Sequence, residues 1–372
     1  MKVLLLGTDE KVFETSSPVR RRLESYSSFV DGLVSVVLVN NSKESVRVGN
    51  LTIVSVKKTG KLKSLFDLYR IAVKIKDIDI VSTQDPAFLG MVGYFVSKKI
   101  GAKLHLQVHT DIASRKYTKS FRGFLEWVCA SFVIKKAHGV RVVSRKVEKN
   151  IKERLGIKKD FSVLPVFVSL NREVQQNEIE KNKLENFVKN HELNILMMCR
   201  LEKEKRVREA LSSFERVVKK QHNVGLVIVG SGKEKDSIKK MISKNNLLGN
   251  AIVFEWTENP SLFFEKCDLF WNNSVFEGFG MSIVESVLSG LPVLTTDVGV
   301  ASEVVKDGIN GYVYDVSDYK KLHVILESIV HSPDKVFAMK QNSVQLPESF
   351  LYADMSDYAQ KIVLDWEKTV NQ

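Results

Sequence analysis

Residues Ser274 to Val313 read SVFEGFGMSIVESVLSGLPVLTTDVGVASEVVKDGINGYV, and the punctuation of this stretch decides the fold. Glu277-Gly278-Phe279-Gly280 follows an apolar strand pattern and opens a helix pattern in which Ile283, Val284, Val287 and Leu288 form one stripe. The glycines let backbone N–H groups approach a ligand closely, and a helix amino terminus favours an anion such as diphosphate. Gly290-Leu291-Pro292 then returns the chain to an apolar strand at 292–295. Glu285 falls eight residues after Glu277, about two turns into the helix. A carboxylate there suits hydrogen bonds from the paired hydroxyls of a ribose better than it suits general acid chemistry.

Working outward, the same alternation runs through the chain. Val-, Ile- and Leu-rich runs at 2–7, 34–39, 51–56, 78–82, 103–108, 139–143 and 161–164 predict strands, with helical patterns at 61–76, 86–99 and 119–136. Asp85-Pro86 reads as a cap followed by a first-turn proline. Asn171 to Asn190 is polar, almost free of large apolar residues before Phe187, and is taken as the linker. A second strand-first unit follows, with strands at 193–199, 224–229, 251–254, 268–272 and 292–295 and helices from about Lys205 and Lys233. The class is α/β, with two doubly wound, Rossmann-like domains: 1–170 with a closing amphipathic helix in 351–372, and 191–350. Ligand is expected at the carboxyl ends of the strands and between the domains.

Composition narrows the function. The 372 residues are 44% apolar and 27% charged, too apolar for disorder and long enough for two cores. No uncharged run approaches the ~18 residues that span a bilayer, and Asp9 and Glu10 interrupt the amino-terminal apolar run, so the expected location is the cytoplasm. Cys129, Cys199 and Cys267 form no CxxC pair, which signals neither a disulfide framework nor a zinc site. Residues 1–170 hold 31 Lys and Arg against 15 acids, whereas the rest of the chain is slightly acidic. A basic half needs an anionic partner: nucleic acid, a membrane surface or a phosphorylated substrate.

Gly230-Ser231-Gly232 fails as a dinucleotide fingerprint, because Lys235 stands where the third glycine of GxGxxG belongs. Asp77-Ile78-Asp79 lies before a strand rather than at its end, so it reads as helix cap and strand start and not as a metal-binding DxD. Arg115–Lys136 places Tyr117, Phe121, Phe124, Leu125 and Val128 at helical spacing beside Arg115, Lys116, Lys119 and Arg122. That pattern suits a surface helix dipping into an anionic leaflet, or a core helix with solvated lysines.

Glu277 and Glu285, followed by Gly290-Leu291-Pro292-Val293-Leu294-Thr295-Thr296, resemble the E-x7-E and G-x-P-V signature of retaining nucleotide-sugar glycosyltransferases, family 4, of the GT-B fold. Glu303 and Asp307–Gly311 match the family's next helix and turn. The resemblance implies two Rossmann-like domains facing each other across a cleft. It makes Arg200 and Lys205 a clamp on the donor diphosphate, although Cys199 stands where the family has Gly. It puts Gly230 in the phosphate loop, Glu285 on the ribose, Trp256 beside the nucleobase, and Glu277 with Gly278, Phe279, Gly280 and Met281 around the sugar. His109 is implied to point at the donor sugar. Thr15–Arg20 departs from the family's Gly-Gly loop, and Pro165–Val168 lacks the Asn and Gly of its interdomain segment.

The implied activity is metal-independent hexosyl transfer, with retained anomeric configuration, from a UDP- or GDP-sugar to a glycan or polyprenyl-diphosphate-linked acceptor. The enzyme is expected to work in cell-surface polysaccharide synthesis, peripherally on the inner face of the plasma membrane. Two rivals are a sugar-nucleotide 2-epimerase of the same architecture and a basic nucleic-acid-binding protein. No RNA-binding signature supports the second, so nucleic acid is not an expected partner.

Overall fold

The computed structural model describes residues 1–170, 177–219, 223–257, 259–342 and 346–372. The chain divides into two units, Met1–Phe167 with Glu348–Gln372, and Val168–Pro347.

The first unit holds β1 (Lys2–Gly7), β2 (Gly32–Val39), β3 (Val46–Val48), β4 (Leu51–Lys57), β5 (Ile80–Thr83), β6 (Lys103–Val108), β7 (Gly139–Val142) and β8 (Ser162–Val163). They form one sheet in the order β3-β4-β2-β1-β5-β6-β7-β8, parallel except for the β3 edge. Successive side chains of β1 alternate faces, and both faces are covered. Val3 and Leu5 pack with helix Pro18–Ser27 and the carboxyl-terminal helix Met355–Val370, while Leu4 and Leu6 pack under helices Lys61–Ala72 and Phe88–Ile100. An all-apolar strand follows from that two-sided burial.

The carboxyl-terminal helix is an integral part of this unit. Trp366 is fully buried and meets the Tyr26 ring edge-on at 5.5 Å. Asp365 Oδ2 lies 2.9 Å from His105 Nε2, and His105 Nδ1 lies 2.9 Å from Ser82 Oγ. Arg141, buried in β7, donates to Gln107 Oε1 (3.1 Å), the Leu164 carbonyl (2.9 Å) and the Tyr358 hydroxyl (2.9 Å).

The second unit holds β9 (Leu193–Met198), β10 (Val224–Val229), β11 (Ala251–Phe254), β12 (Leu269–Asn272), β13 (Val293–Thr296) and β14 (Gly311–Tyr314), all parallel, in the order β11-β10-β9-β12-β13-β14. This is the doubly wound order, whose connections reverse direction between β9 and β12. The loops leaving the carboxyl ends of β9 and β12 therefore lie at the topological switch point, where open α/β sheets bind their ligands.

Several expectations need correction. Residues 171–176 of the expected linker lie outside the described residues, and the remainder is mostly helix Glu178–Val188, capped by Asn177 and anchored by buried Leu184. One apolar anchor suffices because Glu185 also pairs with Lys266 at 3.0 Å. Helices begin later than the charge patterns suggested: at Phe88, because Asp85 caps a turn through Ala87 N–H (2.6 Å), and at Val207 and Lys235. Asp79 accepts the Lys2 N–H at 2.6 Å and so ties the amino ends of β1 and β5, opposite the strand ends where ligands bind in such folds. The edge strands β3 and β14 were not expected.

Candidate active site

At the β9/β12 switch point four loops are stitched together by backbone hydrogen bonds. Leu201 N–H donates to the Ser231 carbonyl and Glu234 N–H to the Leu201 carbonyl, both at 2.8 Å. Val275 N–H donates to the Glu204 carbonyl at 2.8 Å, and Val300 N–H to the Phe279 carbonyl at 2.9 Å. The loops after β9, β10, β12 and β13 therefore make one rim. Glycine is needed where they touch: a Cβ on Gly230 (φ +157°) would lie 2.0 Å from the Cys199 carbonyl oxygen, and one on Gly299 (φ +52°) 2.2 Å from that of Phe279. The protein's own backbone thus accounts for the glycine at Gly230.

Lys205 and Glu277 meet on this rim as an ion pair between side chains 11% and 18% exposed. The Ser274 hydroxyl stands 2.8 Å from the same Glu277 oxygen and 2.7 Å from Asn272 Oδ1, so it can donate to either. Beneath them runs a buried chain of hydrogen bonds. Trp271 Nε1 donates to the Tyr314 hydroxyl (3.0 Å), which donates to Asn273 Oδ1 (2.8 Å), and Asn273 Nδ2 donates to the Arg206 carbonyl (3.0 Å). Arg206 adopts a left-handed conformation (φ 52°), rare for a residue with a Cβ. Its guanidinium holds it there by donating to the Val316 carbonyl (2.8 Å) and to the Tyr319 hydroxyl. That turn fixes where Lys205 points.

The expected residues are not all gathered here. Arg200 is 68% exposed and donates to Glu204 at 2.9 Å, so the two-cation clamp resolves into one residue at the carboxylate, Lys205, and one at the outer edge. Gly278, Phe279 and Gly280 form the turn, with Gly280 (φ +91°) as the start of helix Met281–Leu288. Among the described residues no side chain caps that helix, and Met281 is exposed. Glu285 lies buried on its second turn. Trp256 is half exposed after β11. Sequence reasoning passed over Ser274, Arg206 and Gly299. Ser274 stands three residues before Glu277, a legible spacing, whereas nothing in the sequence marks a left-handed arginine.

In the first unit, His109 follows β6, exposed at its carboxyl end. Although the residue is open to solvent on one side, desolvation of the ring by the protein on the other, followed by the Arg141 and Arg22 charges, pushes its pKa down and favours the neutral imidazole. Two residues on, Asp111 is 5% exposed; Asn150 Nδ2 donates to its Oδ2 at 2.7 Å, and burial pushes the carboxyl pKa up to about 6. Arg20, expected in the divergent first loop, lies instead in the first turn of helix Pro18–Ser27, buried on Glu24 (2.7 Å) and the Val12 carbonyl (3.3 Å), so its role is internal.

Comparison with known proteins is consistent across both units. Residues 178–345 match the family model for glycosyl transferases group 1, and residues 37–172 that for glycosyltransferase family 4. The chain is 32% identical over 156 residues to a poly(glycerol-phosphate) alpha-glucosyltransferase of Bacillus subtilis, covering 42% of this chain and 23% of that protein. It is 21% identical to an alpha-monoglucosyldiacylglycerol synthase of Streptococcus pneumoniae, over 69% of this chain and 60% of the relative. It is 24% identical to a capsular polysaccharide biosynthesis glycosyltransferase of Staphylococcus aureus, over 73% and 72%. It thus spans under two thirds of the first two relatives. Among solved structures, Anabaena HepE with UDP and glucose superposes with a TM-score of 0.74 at 17% identity, over 99% of each chain. The two family models take the two units in turn, and the chain belongs to the group 1 glycosyltransferases, with the GT-B fold.

Proposed function

We propose that the chain transfers a hexose, with retained anomeric configuration and without a metal ion, from a UDP- or GDP-sugar to a glycan or polyprenyl-diphosphate-linked acceptor in cell-surface polysaccharide synthesis. The observation that carries this reading is the Lys205–Glu277 ion pair at the switch-point rim, eight residues before buried Glu285. A diphosphate reaching the rim competes with Glu277 for Lys205. Once Lys205 Nζ has moved to a phosphate oxygen, it neutralises the charge that grows as the glycosidic bond breaks. The freed Glu277 carboxylate, still held by Ser274, accepts hydrogen bonds from the sugar hydroxyls. Backbone N–H groups at the uncapped start of helix Met281–Leu288 add further donors for an anion. Glu285 holds the ribose, Gly230 the loop beside the phosphates, Trp256 the nucleobase, and Arg200 assists at the outer edge. His109 acts on the transferred sugar as a neutral donor or acceptor of hydrogen bonds.

UDP is the nucleotide in the Anabaena structure, which favours a uridine donor here. The pneumococcal relative is by name a synthase of alpha-monoglucosyldiacylglycerol, and the basic first unit suits peripheral work at the cytoplasmic membrane face. Among the described residues no helix is long and apolar enough to cross a membrane. Calorimetry of UDP, GDP and ADP, followed by NMR of the product's anomeric proton with a UDP-hexose donor, tests the reading. Absence of binding to every nucleotide overturns it.

A further inference from the structure

On one side of the first unit's sheet, helices Lys61–Ala72, Phe88–Ile100 and Phe121–Lys136 pack side by side. Their inward faces belong to the core, through residues such as Leu68, Val96 and Trp127. Their outward faces are unusual. Leu62 (83% exposed), Phe66 (59%), Phe95 (52%), Phe121 (78%), Phe124 (51%) and Val128 (49%) all stand in solvent. The Tyr94 and Phe132 rings, edge-on at 5.4 Å, join the second helix to the third, so the apolar surface crosses from one to the next. Tyr117, expected in the same stripe, turns instead to the buried Glu126 carboxylate. Scattered apolar side chains are normal on a surface, but aromatic residues exposed on three helices that pack side by side, joined between the second and third by ring contact, mark an interaction site.

Charge selects the occupant. The three helices carry eight Lys and Arg, all exposed, against two acids, of which Glu126 is buried. A second copy of the chain docked face to face by two-fold symmetry would set these cations against themselves. An anionic bilayer neutralises them and takes the phenylalanines into its interface. Resting on the membrane-linked acceptor of the proposed function, we infer that this three-helix face is the surface by which the first unit lies on anionic lipid, with Phe66, Phe95, Phe121 and Phe124 as inserted anchors.

Flotation of the full chain with vesicles of phosphatidylcholine and phosphatidylglycerol, and with phosphatidylcholine alone, tests this. The parent should bind the mixed vesicles, bind the neutral ones far less, and release in high salt. Phe66→Ser with Phe95→Ser, and separately Phe121→Ser with Phe124→Ser, should each lower binding about tenfold, a ratio equal to about 1.4 kcal/mol. Both variants should keep the parent's thermal midpoint and nucleotide affinity. Lys63→Glu with Lys98→Glu, at solvated positions, should lower binding to the mixed vesicles only. Equal flotation of the Phe66/Phe95 variant and the parent overturns the three-helix face, as does equal binding of the parent to neutral vesicles. A parent dimer that these substitutions split, without vesicle binding, assigns the face to a second copy instead. Nucleotide binding is read separately in every case, so loss of the membrane surface and loss of the transferase reading remain distinct results.

Discussion

Lys205 Nζ and the Glu277 carboxylate are paired at the rim of the second unit, each mostly withdrawn from water, with Ser274 as the carboxylate's second partner. The pair makes the two residues' effects on nucleotide binding opposite in sign. Lys205→Ala removes the cation and should weaken UDP binding by at least about tenfold. Glu277→Gln frees the cation and should leave UDP affinity equal or higher while abolishing most turnover. Calorimetry with the free nucleotide, set against transfer rates, checks both.

Glu285 is buried on the helix that starts at Gly280, where a carboxylate can receive a pair of ribose hydroxyls. A charge-assisted hydrogen bond contributes roughly 1.5–3 kcal/mol, so Glu285→Gln should weaken nucleoside diphosphate binding on the order of tenfold to hundredfold. A deoxyribose nucleotide should lose little further affinity in that variant. Unchanged affinity for UDP would remove Glu285 from the ribose.

Activity should survive chelation. In the proposed reading, Lys205 and the helix amino terminus supply the positive charge that a divalent cation supplies in other nucleotide-sugar enzymes. Transfer rates measured after EDTA dialysis, with and without added Mg or Mn, should agree within about twofold, a barrier difference near 0.4 kcal/mol.

Asp111 gives a stability prediction with a definite sign. Its folded-state pKa, about 6, lies above the ordinary carboxyl value, so the folded protein holds this proton more tightly than the unfolded chain does. Its contribution to stability is therefore fully present in acid, declines as pH rises from about 4 to about 6, and is level above that. Asp111→Asn keeps a side chain that can partner Asn150 and never ionises. Its thermal midpoint relative to the parent should rise across the same window, by the equivalent of up to about 3 kcal/mol.

Gly230→Ala drives a methyl group against the Cys199 carbonyl, 2.0 Å away, where only backbone can give way. A loss of about 1–3 kcal/mol in denaturant unfolding is expected, along with weaker UDP binding as the loop after β10 moves. Ala at Gly249, where a Cβ meets nothing within 4 Å, is the control and should be near neutral.

Much of this was readable because parallel strands covered on both faces are written as uninterrupted apolar runs. β1, β6, β9 and β10 sit within a residue of where Val, Ile and Leu cluster. The edges were not readable for the complementary reason: β3 is only Val-Arg-Val, largely exposed, and β14 is Gly-Tyr-Val-Tyr with two half-exposed residues. Glu277, Lys205 and Glu285 announced themselves by spacing. Their arrangement did not, because the Lys205–Glu277 contact joins residues 72 apart, and the turn that aims Lys205 depends on a left-handed Arg206. Phe187 advertised itself in the expected linker, whereas buried Leu184 among seven polar or charged neighbours in helix Glu178–Val188 did not.

The Asp365–His105 contact spans 260 residues, and Gly139 is packed so closely beneath Thr369 that a Cβ would lie 2.1 Å from its hydroxyl. During synthesis, the whole of the second unit leaves the ribosome before the helix that supplies Asp365, Trp366 and Thr369 exists. The contiguous second unit can fold on emergence, whereas the first must wait with Tyr26 and His105 uncovered. Loop closure over such a separation is slow, so the order of folding reverses the order of translation. Nucleotide-binding competence should therefore arise on a nascent chain whose first unit is still immature.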